Sequence, residues 1–496
     1  MESDTNAHGQ VPPQEPTLKE KTAKGLFWGG ISNFFQQSIG MVFGIIILRI
    51  LSPEDYGLVE MLAIFSAIAT SIMESGFVNA LVNRKFIKHE DYNAVFWFSI
   101  ISSFILYLIL FSSAPLIAKF YNQPVLVPLS RLLFLSFIFS SFSIAHNAFL
   151  LKNLMVKERG IIDFTAVLFS GIIGIILAMN GYVFWGLAIQ SITQNFISTI
   201  LRWYFSSWKP SFRVNFFPLK EMFGFGFKIL ITNIVVHSTA KILSVLSGHY
   251  YSSVQTGYYS QGDKWASLGS TVINGMINSV AQPVLVNVVD ELKRLVHVFR
   301  KIVRFGAFIS FPCMLGLAFV GREFIVITIG EKWLNSLFYL QCFCFWGGFS
   351  FLFVLYMNIL FSLQKSNIYM MGMIIISIVR IGIVVCLIPF GMKIMTMVFM
   401  LSYFGNILYC HFHVHKLIGL RLWDIIKDIS PFIFTTAISI LVAWGVTCVI
   451  DFNYYLIFCI KTVIVALVYI VIMKTSKAVI FKESVEYLKG FKNKYK

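Results

Sequence analysis

The chain reads as an all-α polytopic membrane protein of about fourteen transmembrane helices: two parallel six-helix lobes followed by two further helices. Three observations predict this. The 496 residues are 57% hydrophobic and 13% charged with mean hydropathy +0.77, whereas soluble domains carry about a quarter charged residues. Apolar stretches of about 20 residues recur from end to end between short polar breaks, and the alternating ten-residue segments of a membrane barrel are absent. Because six is an even number, a seventh helix starts on the same side as the first. A six-helix unit repeated once is therefore parallel, related by a pseudo-two-fold axis along the membrane normal.

In chain order, the spans fall at about 26–50, 57–82, 93–118, 126–150, 161–179 and 182–205 for the first lobe (26–205). A cytosolic linker (206–224) precedes spans at about 225–247, 257–285, 299–320, 334–362, 368–388 and 394–414 for the second lobe (225–414). Spans at about 430–450 and 453–473 lie outside the repeat, within 415–473. Residues 1–25, with Pro12, Pro13 and Pro16 and no apolar core, are expected to be a disordered cytosolic tail rather than a cleaved signal. Residues 474–496 form a basic tail.

The formal charge of +17 is a topology signal before it is a binding signal. With the N-terminus inside, the inward segments hold 29 Lys and Arg, while the outward loops hold 5: Lys119, Arg131, Arg322, Lys332 and Lys393. This asymmetry assigns both termini to the cytosol and removes the case for nucleic acid. All seven cysteines lie in or beside apolar spans of the second half, as small core residues. No phosphate-cradling Gly-rich loop, HExxH, CxxC pair or Ser/His/Asp set is present, so the chain is not expected to use ATP or to be an enzyme. No outward loop exceeds about a dozen residues, which argues against an extracytoplasmic catalytic domain.

The hairpin from Lys228 to Gln282 is too polar for lipid. Asn233, His237, Lys241, Ser244 and Gly248 share one face of the seventh helix. Ser260, Asp263, Ser267, Ser270 or Thr271, Asn274, Asn278 and Gln282 follow the same spacing on the eighth. Two readings stand: a wall facing water or substrate, or interhelical hydrogen bonding. Lys241 and Asp263 each lie about 9 Å from the outer helix ends. Either they pair, leaving Lys264 unpaired, or Asp263 holds a proton or cation while both lysines face an anion. The first lobe carries a milder stripe, with Asn33, Gln37, Gly40 and Gly44 on the first helix and Glu60, Ala67 and Glu74 on the second. Glu60 sits beside Arg49, Glu54 and Asp55, where a solvated cluster is expected.

Arg380 lies about 18 Å from the inner surface, near the middle of a ~30 Å core, where a guanidinium is suited to phosphate. Lys461 is expected to snorkel outward. His411, His413 and His415 do not share one helical face, so no metal site is expected.

The opening Leu18-Lys19-Glu20-Lys21-Thr22-Ala23-Lys24-Gly25-Leu26-Phe27-Trp28, the run Leu48-Arg49-Ile50-Leu51-Ser52-Pro53-Glu54-Asp55-Tyr56-Gly57 and Gly257-Tyr258-Tyr259-Ser260 resemble bacterial polysaccharide exporters of the Wzx type, in the multidrug/oligosaccharidyl-lipid/polysaccharide superfamily. At an offset of 200, Phe27, Ile31, Asn33, Ser38, Ser52 and Gly57 meet identical residues at 227, 231, 233, 238, 252 and 257. The resemblance implies two lobes around a cavity lined by the first two helices of each. It implies a flippase moving an undecaprenyl-pyrophosphate-linked oligosaccharide outward across the bacterial inner membrane, beside a glycan polymerase and chain-length machinery. The residues add Arg380, Lys241 and Lys264 for phosphate, and Asn33, Gln37, Asn233, His237, Asn274 and Asn278 for sugar. No cofactor is expected; proton or sodium coupling would use Asp263, Glu60 or Glu74. The alternatives are a cation-coupled multidrug exporter of the same superfamily and a membrane glycan polymerase or ligase.

Overall fold

The computed structural model describes residues 35–74, 77–84, 86–448, 453–476 and 481. All regular secondary structure among them is helical. The first half comprises α1 (Phe35–Ile50), α2 (Pro53–Met61), α3 (Ala63–Glu74), α4 (Phe77–Asn83), α5 (His89–Tyr121), α6 (Leu126–Ser141), α7 (Ile144–Lys152), α8 (Val156–Met179) and α9 (Val183–Phe205). The second comprises α10 (Phe217–Tyr250), α11 (Ser253–Val286), α12 (Leu292–Phe319), α13 (Gly321–Thr328), α14 (Leu337–Ser362), α15 (Ser366–Cys386) and α16 (Met392–Ile418), with α17 (Leu422–Thr447) and α18 (Tyr454–Thr475) at the end.

Ten helical spans are long and apolar enough to cross a membrane, and α6 with α7, bent by 44°, makes an eleventh. The protein is therefore a multi-pass membrane protein. From residue 93 onward the expected spans each coincide with a helix or a bent pair, although α9 and α11, while long enough, fall outside the apolar set; the second span, 57–82, is broken into α2, α3 and α4, and the first is described only from Phe35.

The breaks have local causes. At the α6–α7 bend the freed carbonyls are taken up by α9: Thr199 Oγ1 donates to Phe139 O at 2.8 Å and Trp203 Nε1 to Phe142 O at 2.8 Å. Arg202 Nη1 adds a bond to Ser143 Oγ at 2.9 Å. Side chains from a neighbouring helix thus satisfy backbone groups that lipid could not. The α2–α3 break at Leu62 is held in the same way by one neighbour, Tyr121 Oη of α5, which donates to Met61 O at 3.1 Å, beside the local bonds Leu62 N to Val59 O at 3.1 Å and Ser66 Oγ to Leu62 O at 3.4 Å.

Two large apolar cores form, one from residues 58–222 and one from Leu48 together with residues 243–473, with a small third cluster of Ile47, Leu51 and Ala178. The final helices pack on the second core. At one end Asp428 of α17 accepts from Arg300 of α12 at 2.6 and 3.1 Å. Lys461 of α18 does not snorkel outward: it pairs with Glu323 of α13 at 2.8 Å, because α13 brings an otherwise buried acid to its depth.

The halves meet where α2 crosses α11. Ser52 caps α2 and Ser252 caps α11, each accepting from the backbone N–H three residues on. A β-carbon on Gly57 would lie 1.8 Å from the Ser253 carbonyl oxygen, and one on Gly257 would lie 2.0 Å from that of Pro53. Ser253 and Pro53 are themselves 200 positions apart, so the contact is reciprocal about the pseudo-two-fold. Only glycine permits so close an approach of two backbones.

The same end, which the basic-residue count assigns to the outside, is clasped again. Arg49 Nε donates to Thr328 O at 2.8 Å, Lys332 Nζ to Arg49 O at 2.8 Å and Trp333 Nε1 to Leu48 O at 2.9 Å. Along the other half of α11 the cover is lost: Met276, Val280 and Val284 are exposed, and a β-carbon on Gly275 would meet nothing within 4 Å.

Candidate functional site

Beneath the crossing, Glu60 follows Gly57 by one helical turn and so faces the second half. Its Oε1 accepts from Lys241 Nζ of α10 at 2.7 Å and from Ser244 Oγ at 3.4 Å. The side chains of Lys241 and Glu60 are 31% and 13% exposed. Two expectations are corrected here. Lys241 pairs with Glu60 rather than Asp263, and Glu60 is not part of a solvated cluster with Arg49, Glu54 and Asp55. The physical reason is the glycine crossing, which brings α2 against the second half and sets Glu60 within reach of Lys241 on α10.

Asp263 forms no ion pair among the described residues; it accepts from Ser267 Oγ at 3.0 Å. It lines a cavity of about 270 Å³ with Tyr259, Ser267, Ser270, Trp346 and Tyr403, enclosed by α10, α11, α14 and α16. Lys264 is turned about 100° further round α11 and points the other way, toward the first half. Its Nζ lies 5.6 Å from the Tyr56 ring centroid and 3.7 Å from where a β-carbon on Gly44 would stand. The two adjacent charges therefore serve different spaces.

Lower on α11 the stripe is spent on packing. Asn274 Nδ2 donates to Ser350 Oγ of α14 at 3.0 Å, and Asn278 Oδ1 accepts from Asn358 Nδ2 at 2.8 Å. For these two residues the interhelical reading describes the geometry. His237 and Gln37 are exposed and Asn233 is half-buried. Asn33 and the side chain of Glu74 lie outside the described residues.

Arg380 is 2% exposed and has no carboxylate partner among the described residues. Nε donates to Ser402 Oγ at 2.8 Å, and the guanidinium stacks 3.6 Å above the Tyr403 ring centroid. Nη2 is buried without a hydrogen-bond partner among the described residues. The Trp346 ring lies 4.7 Å from Tyr403 at 22°. A guanidinium and an indole cannot share one face of a phenol, so Tyr403 is sandwiched, and it stands between Arg380 and the cavity. A desolvated stack of this kind is worth about 2 kcal/mol. The expected basic cavity is thus not what forms. Lys241 is paired and Arg380 is covered, while Lys264, over the Tyr56 ring at 5.6 Å, is the one of the three with neither a salt bridge nor a side-chain hydrogen bond among the described residues.

Sequence reasoning missed the aromatic members. Trp346 is the sole tryptophan of the Phe-rich α14, followed by Gly347 and Gly348, and Tyr403 is one polar ring in α16. Only the fold sets them against Asp263. Among the described residues no group of three or more His, Cys, Asp and Glu is arranged for a metal.

Fold and site define a class: multi-pass helical membrane proteins built from two related bundles. The chain is similar to the lipid II flippase MurJ in its inward closed conformation, with a TM-score of 0.73 at 14% identity, over 92% of this chain and 99% of that one. It is similar to an inward-facing multidrug resistance MATE family transporter of the MOP superfamily, with a TM-score of 0.57 at 14% identity, over 80% and 98% of the two chains. The chain belongs to the polysaccharide biosynthesis protein family, whose profile matches residues 46–337. Relatives include the lipopolysaccharide biosynthesis protein WzxC of Escherichia coli (strain K12), 24% identical over 67% of this chain and 68% of the relative. The teichuronic acid biosynthesis protein TuaB of Bacillus subtilis (strain 168) is 25% identical over 65% and 67%.

Proposed function

We propose that this protein flips a lipid-linked oligosaccharide, carried on undecaprenyl pyrophosphate, from the inner to the outer leaflet of the bacterial cell membrane for a surface or secreted polysaccharide. The observation that carries the reading is the one-ended reciprocal glycine seal above a lysine, Lys264, that faces the first half and makes no salt bridge among the described residues. That main-chain contact, the Glu60–Lys241 pair below it and the bonds of Arg49, Lys332 and Trp333 beside it are links that alternating access has to break at this end. The names of the relatives, which concern lipopolysaccharide and teichuronic acid, support a glycan cargo.

In this reading both termini are cytosolic, as the 29-to-5 distribution supports. Lys264, and Lys241 when released from Glu60, take the pyrophosphate; Arg380 joins them once Tyr403 moves. Asn33, Gln37, Asn233 and His237 meet sugar hydroxyls, and Asn274 and Asn278 are freed to do so only if α14 parts from α11. A proton or sodium ion exchanged at Glu60, Asp263 or Glu74 drives the cycle. A polymerase and chain-length machinery receive the product.

The test is restoration of surface glycan in a host deleted for this gene. The intact chain is expected to restore it, and Lys264→Ala to abolish it at unchanged protein level; failure of the intact chain overturns the reading. One observation favours a second reading: Asp263, unpaired in an aromatic cavity, also suits an organic cation. Efflux of cationic dyes with glycan unchanged would establish a multidrug exporter instead.

A further inference from the structure

We infer that the second half carries a sugar-ring subsite, in which one pyranose of the oligosaccharide lies against Trp346 with its hydroxyls on Asp263, Ser267 and Ser270. The inference rests on the glycan-flipping reading and names where within the protein the sugar is held.

The chemistry of the cavity matches an object with one apolar face and a polar rim. A pyranose presents axial C–H bonds on its face and hydroxyls around its edge. The cavity supplies an indole on one side and, on α11, a carboxylate and two hydroxyls spaced by three and four residues so that they share a face. Ionised Asp263 has only Ser267 bonded to it, which leaves acceptor sites for hydroxyl donors. At about 270 Å³ the space suits a single ring.

The platform is also fixed. Arg380, Tyr403 and Trp346 form three layers, at 3.6 Å and 4.7 Å, so the phenol that backs the indole is itself held from behind by the buried guanidinium. Arg380 is here a positioning residue, acting on the sugar through two rings. Asp263, Trp346 and Tyr403 lie about 15 Å from the outer ends of α11, α14 and α16, near the middle of the membrane.

Every residue lining the cavity comes from positions 240–403. A ring bound there stays bound while the halves separate, because none of its contacts crosses between them. Lys264, one residue along, faces the first half and takes the phosphate end of the same molecule. Adjacent residues of one helix turn would thus hold the charged and neutral parts of the cargo apart.

The test uses the full chain in nanodiscs and saturation-transfer NMR with free glucose, galactose and N-acetylglucosamine as probes, with tetramethylammonium as comparator. A single ring is expected to bind with Kd of about 1 mM. Transfer to the ring C–H protons of at least one sugar is expected, falling about fivefold or more in Trp346→Leu and in Asp263→Asn. It should be retained in Trp346→Phe and in Lys264→Ala, which shows that the fold survives. No transfer from any of the three sugars, transfer unmoved by the first two variants, or transfer to tetramethylammonium alone overturns the subsite. Glycan restoration by the intact chain alongside any of those results sinks the subsite and leaves the transport reading standing.

Discussion

The two halves of the protein share a frame and differ in chemistry. Shifted by 200 positions, Ser52 and Gly57 of α2 meet Ser252 and Gly257 of α11, and both pairs do the same work as helix cap and close crossing. Four residues below the crossing the correspondence ends. Asp263, Lys264 and Ser267 stand where the first half has Ala63, Ile64 and Ala67, and Lys241 stands where it has Met41. The first half answers with a single acid, Glu60, opposite Ser260. Symmetry is kept where backbones must meet, and polar chemistry is concentrated on one side of the axis.

The largest expected effect comes from breaking what is shared. Gly57→Val and Gly257→Val each place atoms where a carbonyl oxygen stands, a clash costing about 1–3 kcal/mol or more. Both are expected to abolish glycan export to the same degree and to leave cysteines placed at the crossing open to a membrane-impermeant thiol reagent. Unequal effects would mean that the reciprocity is geometrical only.

Next comes what joins the halves below the seal. Glu60→Gln or Lys241→Met alone leaves a partly buried charge without its partner and is expected to destabilise the purified protein by about 2 kcal/mol. The double variant should lose less than the sum, read as a coupling in a thermal-unfolding cycle. Additive losses would show that the pair contributes nothing in solution.

Arg380→Lys keeps the charge but loses the planar stack and the bond to Ser402. A loss of about 1–2 kcal/mol in stability is expected, with export reduced in parallel. Full stability with export abolished would instead point to direct contact with phosphate. The smallest effect is expected from Asn274→Leu with Ser350→Ala. These remove a bond worth about 0.6 kcal/mol between membrane helices, and export should stay near normal.

The helix spans were legible because apolar runs and basic flanks are local signals. The bend between α6 and α7 was not, since a run of apolar residues and serines reads as one span until Thr199 and Trp203 of α9 are seen holding its carbonyls. Periodicity found the polar faces of α10 and α11 and roughly the right depth for Lys241 and Asp263. It could not choose partners, because the choice belongs to α2, brought in from 181 positions away. The position of Arg380 in its helix was legible as well, but its covering by Tyr403 was not. Lys461 found an acid, Glu323, that sits in a short helix beyond the run of spans.

The bend in α6–α7 bears on the mechanics of the cycle. A broken helix whose loose carbonyls are fastened to its neighbour is cross-braced: α6, α7 and α9 resist flexing together and transmit displacement along their length. The break at Leu62 is fastened by a single bond, from Tyr121 Oη of α5 to Met61 O at 3.1 Å, where α6–α7 has three from α9. Leu62 lies two residues beyond Glu60, so releasing that carboxylate from Lys241 acts on the more lightly braced of the two joints.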